Sequence, residues 1–193
     1  MVKQLFMARI HVMGGSGSGT TTLGRTLSGR LRVPHFDSDD YYWIPTMPPY
    51  RIKRDKVIRD ARIAEDICTF DDWVWTGSSV SWKHGALDRI SLCVFLTLPA
   101  DIRLARLRSR EKQRRAALPT EARANFEKES AEFLAWAARY DHGGNEVRSL
   151  ALHEHWIATL DCPVLRIDGD RTTEQRVNAV LGAIEQSVDE IER

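Results

Sequence analysis

The sequence predicts a three-layer α/β fold, in which a parallel sheet is covered on both faces by helices. Short runs of β-branched and apolar residues alternate along the chain with longer segments of helical periodicity. This alternation is typical of parallel strands joined by right-handed crossovers. The length of 193 residues and the hydrophobic content of 42% suit one compact core, so we expect a single domain spanning residues 1–193.

Five strands are expected, and each is bounded by turn residues or by the start of a helical pattern. They cover residues 5–12, 34–37, 73–76, 92–98 and 164–167. Leucines at spacings of four predict a first helix over residues 20–31. The last helix has the clearest apolar stripe, which consists of Val177, Val180, Leu181, Ile184, Val188 and Ile191.

A glycine-rich loop stands between the first strand and the first helix. Residues 14–21 are GGSGSGTT, which fits the pattern G-x-x-x-x-G-K-[ST] except that Thr20 occupies the lysine position. Glycines allow a backbone that approaches phosphate closely, and a helix N-terminus adds positive charge, whereas a flexible linker would not be framed in this way. We predict a nucleotide, ATP or GTP, bound by Gly14, Gly15, Ser16, Gly17, Ser18, Gly19, Thr20, Thr21 and Thr22.

Acidic residues follow the second strand, at Asp37 and Asp39. The carboxyl ends of parallel strands carry the ligand in open sheets, so these carboxylates are expected beside the glycine loop. A carboxylate there can hold Mg²⁺ or accept the proton of an attacking hydroxyl. We predict Thr21 and Asp37 as Mg²⁺ ligands and Asp37 and Asp39 as catalytic residues. Helix capping is the structural alternative, and Asp40 is expected to be solvated.

Aromatic residues are concentrated in the same part of the chain. Trp73 and Trp75 alternate on one strand and point to one face, which indicates a role in the core. Other aromatic rings can stack on a planar acceptor. We predict an acceptor pocket formed by Asp39, Tyr42, Trp43, Gly77, Ser78 and Trp82.

Residues 103–115 contain seven basic residues and one acid. Spacings of three and four place several arginines on one helix face. Guanidinium groups bind phosphate oxygens and neutralise charge during phosphoryl transfer. We predict four phosphate-binding arginines: Arg106 and Arg115 on the nucleotide, and Arg110 and Arg114 in catalysis. Arg103 and Arg108 are expected on a solvated face.

These motifs together resemble the small P-loop kinases, a group that includes adenylate, cytidylate and shikimate kinases. The resemblance rests on the 14–21 loop, FDSD at 36–39, TGS at 76–78, and the arginine segment that begins with LP at 98–99. It extends to adenylate-kinase-like bacterial proteins that are labelled AAA-family ATPases. It implies Mg-ATP as the cofactor, a sheet in the order 2-3-1-4-5, an acceptor site near Asp37 and Asp39, and a mobile lid around residues 106–115.

The chain also departs from this pattern. Ser78 stands where shikimate kinases have a third glycine, and the early arginine of adenylate kinases has three candidates here: Arg51, Arg54 and Arg59. The segment after the arginines is longer than a minimal lid. Phe126, Phe133 and Tyr140 recur at heptad spacing, so we expect a lid and helical insertion at about residues 106–160.

The missing loop lysine leaves the function open. Loss of one preorganised donor can lower a rate by on the order of a hundred- to a thousandfold. Our hypothesis is that Arg110, Arg114 or Lys83 supplies the charge, in a kinase that transfers the ATP γ-phosphate to a nucleoside monophosphate or a small hydroxylated metabolite. The alternatives are a nucleotide switch or slow NTPase without kinase activity, and nucleic-acid binding through residues 103–115.

Composition argues against other classes of protein. A net charge of +1 is not typical of a nucleic-acid binder, and no apolar run has the length of a membrane span. The three cysteines, Cys68, Cys93 and Cys162, are expected to be buried thiols in a reducing, cytoplasmic compartment. The His153–Glu154–His155 segment lacks zinc-like spacing, so the histidines are expected to have surface or packing roles. Both a monomer and a homodimer are compatible with the sequence.

Overall fold

The computed structural model describes residues 7–80, 82, 85 and 87–191. Its main sheet contains the five strands β1 (Arg9–Gly14), β2 (His35–Asp37), β5 (Trp73–Thr76), β6 (Leu92–Thr97) and β7 (Val164–Asp168). They lie in the order β2-β5-β1-β6-β7, and all neighbours are parallel. Counted along the chain, these strands have the order 2-3-1-4-5, which confirms the predicted sheet.

Strand β1 ends two residues later than predicted, at Gly14 rather than at residue 12. It begins at Arg9 and includes Met13 and Gly14, because the register with β6 pairs these two residues with Phe95 and Leu96. Residues 5 and 6 lie outside the described part of the chain. The glycine loop therefore leaves the sheet directly at its carboxyl edge.

Helices pack on both faces of the sheet. They are α1 (Thr20–Leu31), α2 (Ser38–Tyr42), α3 (Lys56–Ile67), α4 (Ala100–Ala116), α5 (Thr120–Ala138), α6 (Leu150–Ile157) and α7 (Thr173–Ile191). A short antiparallel ribbon of β3 (Trp43–Ile44) and β4 (Ile52–Lys53) follows α2, and the sequence analysis did not predict it. Helices α5 and α6 occupy most of the stretch between residues 120 and 160.

Different helices bury the two faces of the sheet. On one face, Leu27 of α1 and Val180 of α7 join a core cluster with the strands. On the other face, α3 covers Trp73 and Trp75, which are fully buried as expected. Ile157 of α6 covers a third cluster on the neighbouring strands. This is the predicted three-layer arrangement.

One burial prediction among the cysteines is wrong. Cys93 is buried and Cys162 half-buried, but Cys68 is exposed. Cys68 caps the C-terminus of α3, where Ile67, one position earlier, already occupies the inward-facing side. In the described part of the chain, no helix combines the length and the apolar character needed to cross a membrane.

Candidate nucleotide and acceptor site

The glycines in the loop between β1 and α1 leave its backbone N–H groups open to a ligand. Gly17 and Gly19 have φ angles of 86° and 97°, in the left-handed region that L side chains rarely adopt. A Cβ on Gly14 would lie 2.6 Å from the Leu96 carbonyl oxygen. Helix α1 then begins at Thr20, so the loop leads straight into a helix N-terminus. This arrangement is a ready anion site.

A cavity of about 400 Å³ opens in front of the loop, between the starts of α1 and α7 and one side of α4. This volume is typical of a small-molecule site. Four of the residues that line it are arginines, which favours an anionic ligand. The lining consists of Gly17, Gly19, Thr20, Thr21, Thr22, Leu23, Arg106, Arg110, Arg171, Thr173 and Arg176.

Three consecutive carbonyl oxygens of the loop accept hydrogen bonds from arginines. Arg103 donates to Ser16 at 3.4 Å, Arg106 to Gly17 at 3.5 Å, and Arg176 to Ser18 at 2.7 Å. Two of these arginines come from α4 and the third from α7. The orientation of the loop peptides is therefore held by helices that are distant in the sequence.

The expectation that Arg103 is solvated is wrong, because its side chain is only 1% exposed. It pairs with Asp141, donates to the Leu98 carbonyl at 3.2 Å, and lies 4.8 Å from the centre of the Tyr140 ring. Helix α4 turns Arg103, Leu107 and Glu111 inward, at spacings of four. Arg108 is exposed, as expected.

Thr21 and Asp37, the predicted Mg²⁺ ligands, lie next to each other. The Thr21 hydroxyl donates to Asp37 Oδ2 at 2.8 Å, and Asp37 is 7% exposed. The other carboxylate oxygen, Oδ1, caps α2 by accepting the Asp39 N–H at 3.0 Å. A hydroxyl and a carboxylate are hard oxygen ligands that suit Mg²⁺. Among the described residues there is no cluster of three or more His, Cys, Asp or Glu that would form another metal site.

Asp39 lies on the first turn of α2, two residues after Asp37. Its side chain is exposed to solvent but partly desolvated by its neighbours. This partial burial, and then the Asp37 carboxylate, raise the pKa of Asp39, while Arg148 and Arg110 act in the opposite direction. Asp40 is exposed, as expected.

Arg148 is a residue near Asp39 that the sequence analysis missed. It is half-buried, donates to the Ser78 carbonyl at 3.3 Å, and lies 5.5 Å from the centre of the Trp136 ring. Burial lowers its pKa, and the nearby Asp39 opposes this effect. Arg148 stands alone in a polar loop before α6, so no periodic pattern pointed to it.

The three aromatic residues predicted for the acceptor pocket pack in two different ways. The rings of Tyr42 and Trp82 are stacked, with centroids 6.0 Å apart, and the Arg59 guanidinium lies 4.0 Å from the Trp82 ring. Trp43 packs edge-on against Tyr42 and Tyr50. Tyr42 and Trp82 thus form one aromatic wall.

The predicted phosphate-binding arginines of α4 lie in different surroundings. Arg106 and Arg110 line the loop cavity. Arg114 donates to Glu111 at 2.8 Å, and Glu111 also pairs with Arg110 at 3.5 Å. Arg115 pairs with Glu127 in a groove between α4 and α5 and is not among the residues that line the loop cavity.

The other basic candidates are placed as follows. Arg51 pairs with Glu129 of α5. Arg54 donates to the backbone carbonyls of Tyr41 at 2.9 Å and Trp43 at 3.1 Å. Lys83 lies outside the described residues.

Ser78 belongs to a buried hydrogen-bonded chain that ends at the glycine loop. Its hydroxyl lies 2.9 Å from His153 Nε2, and His153 Nδ1 lies 2.8 Å from the Tyr140 hydroxyl. The Tyr140 ring packs so closely on Gly15 that a Cβ there would lie 2.9 Å from it. Gly77, which precedes Ser78, has a φ of 94° and would place a Cβ 2.0 Å from Ser38 Oγ.

Comparison with known proteins gives one relative in sequence and several in structure. No family model matches the chain. The uncharacterised protein YqaC of Bacillus subtilis (strain 168) is 43% identical over 172 residues, which cover 89% of this chain and 94% of that protein.

Among solved structures, a gluconokinase from Sinorhizobium meliloti 1021 has 16% identity and a TM-score of 0.52, with 97% of each chain covered. A shikimate kinase from Aquifex aeolicus VF5 has 18% identity and a TM-score of 0.48, with 93% of this chain and 97% of that chain covered. The gluconokinase match shows that the fold is the P-loop kinase fold.

Proposed function

We propose that this chain, which belongs to the same protein family as YqaC of Bacillus subtilis, is a kinase that transfers the γ-phosphate of ATP to a hydroxyl group of a small anionic acceptor. One observation carries the proposal. The Thr21–Asp37 hydrogen bond joins the start of α1, directly after the glycine loop, to the end of β2, and Asp39, two residues further, lies close enough to Arg148 for the guanidinium to affect its pKa. The proposed phosphate loop and the proposed acceptor carboxylate would therefore both adjoin one oxygen-ligand pair.

The loop side would bind the nucleotide. Backbone N–H groups of residues 14–22 would donate to the phosphates, and Arg106 lines the cavity beside them. Thr21 and Asp37 would hold Mg²⁺, which would neutralise phosphate charge when bound. Arg110 lines the same cavity and lies close enough to Asp39 to affect its pKa, so it would stand between donor and acceptor.

The Asp39 side would bind the acceptor. The raised pKa makes Asp39 a better proton acceptor than an ordinary aspartate, which suits a base that orients an attacking hydroxyl. Arg148 would pair with a phosphate or carboxylate of the acceptor, since its guanidinium lies near Asp39 without a carboxylate at ion-pair distance among the described residues. Tyr42 and Trp82 would form a wall beside the acceptor, and Arg114 would add positive charge.

A screen of ADP release tests this proposal. Wild-type protein with Mg-ATP is incubated with nucleoside monophosphates, with small hydroxylated carboxylates, and with uncharged polyols. We expect release that depends on one anionic acceptor, and loss of at least about a hundredfold in kcat for D39N. The matched control is D40N, which should retain activity, because Asp40 is influenced by Arg25 and His35 rather than by Arg148 and Arg110.

Release that is indifferent to every acceptor would instead support a slow NTPase or nucleotide switch. This alternative is supported by Thr20, which occupies the position where the loop pattern has lysine. Absence of both nucleotide binding and ADP release would refute the proposal as a whole.

A further inference from the structure

We propose that Arg176 supplies the fixed positive charge that Thr20 cannot supply, and that it binds the phosphates of the nucleotide directly. This inference rests on the proposed nucleotide binding and assigns a residue to it. Arg176 lies on the first turn of α7, 158 residues after Ser18 of the loop.

The position of the Arg176 guanidinium carries the inference. It lines the loop cavity together with Gly19 and Thr20, and a Cβ on Gly19 would lie 3.0 Å from its Nη1 atom. Nη1 donates to the Ser18 carbonyl at 2.7 Å, and Nη2 lies 3.4 Å from the Gly169 carbonyl. The charge thus lies against the loop, one residue before the position where the pattern has lysine.

The hydrogen bonding of Arg176 is incomplete. The residue is only 4% exposed, and its Nε atom is buried without a partner among the described residues. A guanidinium has five N–H groups, and the two carbonyls account for two of them. A buried donor that lacks a partner is costly, so spare donor capacity on a residue that lines an anion cavity indicates a ligand that uses it.

The surrounding charges support an anion as that ligand. Burial lowers the pKa of Arg176, and Arg106 and Arg171 act in the same direction, whereas Asp170 opposes them. Asp170 is engaged by Arg106 at 2.6 Å, and among the described residues no carboxylate lies within ion-pair distance of Arg176. A bound phosphate would relieve this excess of positive charge.

Arg176 is held more firmly than the arginines of α4 that line the cavity. The side chains of Arg106 and Arg110 are 40% and 44% exposed, whereas Arg176 is 4% exposed. Arg176 is held by two backbone carbonyls before any ligand arrives. Preorganised donors contribute most to binding and to stabilisation of developing charge, because little reorganisation is needed.

The test compares nucleotide affinities by calorimetry for the wild type, R176M, R176K, T20K and the double variant T20K/R176M. R108M is the matched control, because Arg108 is an exposed arginine that does not line the loop cavity. We expect R176M to weaken Mg-ADP binding by about 10- to 100-fold and to leave adenosine binding within about threefold, since a charge-assisted hydrogen bond has this strength. R108M should change ADP affinity by less than about fivefold. T20K/R176M should regain at least about tenfold of the loss, since a lysine at position 20 would restore the cation.

The inference would be overturned if folded R176M bound ADP as tightly as the wild type. It would also be overturned if T20K/R176M bound ADP no better than R176M although T20K alone binds ADP. If R176M does not fold, the test uses R176K, which keeps the positive charge. R176K should bind ADP with an affinity within about tenfold of the wild type. A greater loss of affinity in folded R176K would contradict the proposal that the charge of Arg176 binds the phosphates. If the wild type itself binds no Mg-ADP, the proposed function fails first, and that outcome is distinct.

Discussion

Replacement of His153 by glutamine should make the protein less sensitive to acid. His153 is fully buried, and its two ring nitrogens lie next to the Ser78 and Tyr140 hydroxyls. Burial lowers its pKa to about 3, and the charges of Arg148 and His11 contribute in the same direction. The imidazole is therefore neutral in the folded protein over the range in which the unfolded chain takes up a proton.

The size of the effect follows from the two pKa values. The ordinary histidine pKa of 6.5 describes the unfolded chain, and a pKa of about 3 describes the folded protein. Between these values the unfolded state binds one more proton, so stability is fully present above pH 6.5 and falls as the pH decreases. From pH 7 to pH 5, linkage gives a loss of about 2 kcal/mol from this histidine, and a folded pKa one unit higher hardly changes it.

Urea unfolding at pH 7 and pH 5 measures this loss. Glutamine does not titrate, so the free energy of unfolding of H153Q should fall by about 2 kcal/mol less than that of the wild type over this interval. H35Q is the control, because burial also lowers the pKa of His35 but to a smaller extent, so its effect should be smaller and of the same sign. Parallel losses in the wild type and in H153Q would refute the assignment of a neutral, buried His153.

Three further predictions concern the loop and the acceptor carboxylate. G17A should lower the free energy of unfolding, measured in urea, by at least about 1 kcal/mol, because Gly17 has a φ of 86° and a Cβ there would lie 2.7 Å from the Arg103 carbonyl oxygen. G29A is the control and should not destabilise the fold, because the space around Gly29 is open. R103M should destabilise by about 3 kcal/mol, since it removes the buried partner of Asp141, and it should also weaken ADP binding through the loss of the Ser16 contact; an unchanged midpoint in denaturant would contradict this. D39N should abolish turnover, and it should be more stable than the wild type at pH 7 but not at pH 3. The raised pKa of Asp39 means that its ionised form is disfavoured in the folded state, and at pH 3 this carboxyl is protonated. Thermal unfolding measures both differences, and an equal effect of D39N at the two pH values would contradict the prediction.

Local pattern was sufficient to predict the sheet and the loop. The glycines and the flanking periodicities are local properties, and the helix start at Thr20 follows from them, whereas the extension of β1 to Gly14 depends on its pairing with β6. The proximity of Thr21 and Asp37 also followed from the rule that strand ends meet at one edge.

The buried arginines could not be predicted in the same way, because tertiary packing decides whether a long cation is buried. A usable signal was present in two cases. Arg176 is four residues before Val180 on the apolar stripe of α7, and Arg103 is four residues before Leu107 on α4. A charge on an otherwise apolar face indicates a side chain with a buried partner or ligand.

The chain of contacts from Ser78 through His153 and Tyr140 to Gly15 connects the proposed acceptor site to the proposed nucleotide site. The Ser78 carbonyl holds Arg148, so a ligand that repositions this guanidinium would act on the same chain of contacts from the acceptor side. Two ligands that contact one set of linked residues change each other's affinity by the same factor in both directions. Under the proposed function, the binding of acceptor and nucleotide would therefore be coupled through Tyr140 without contact between the two ligands.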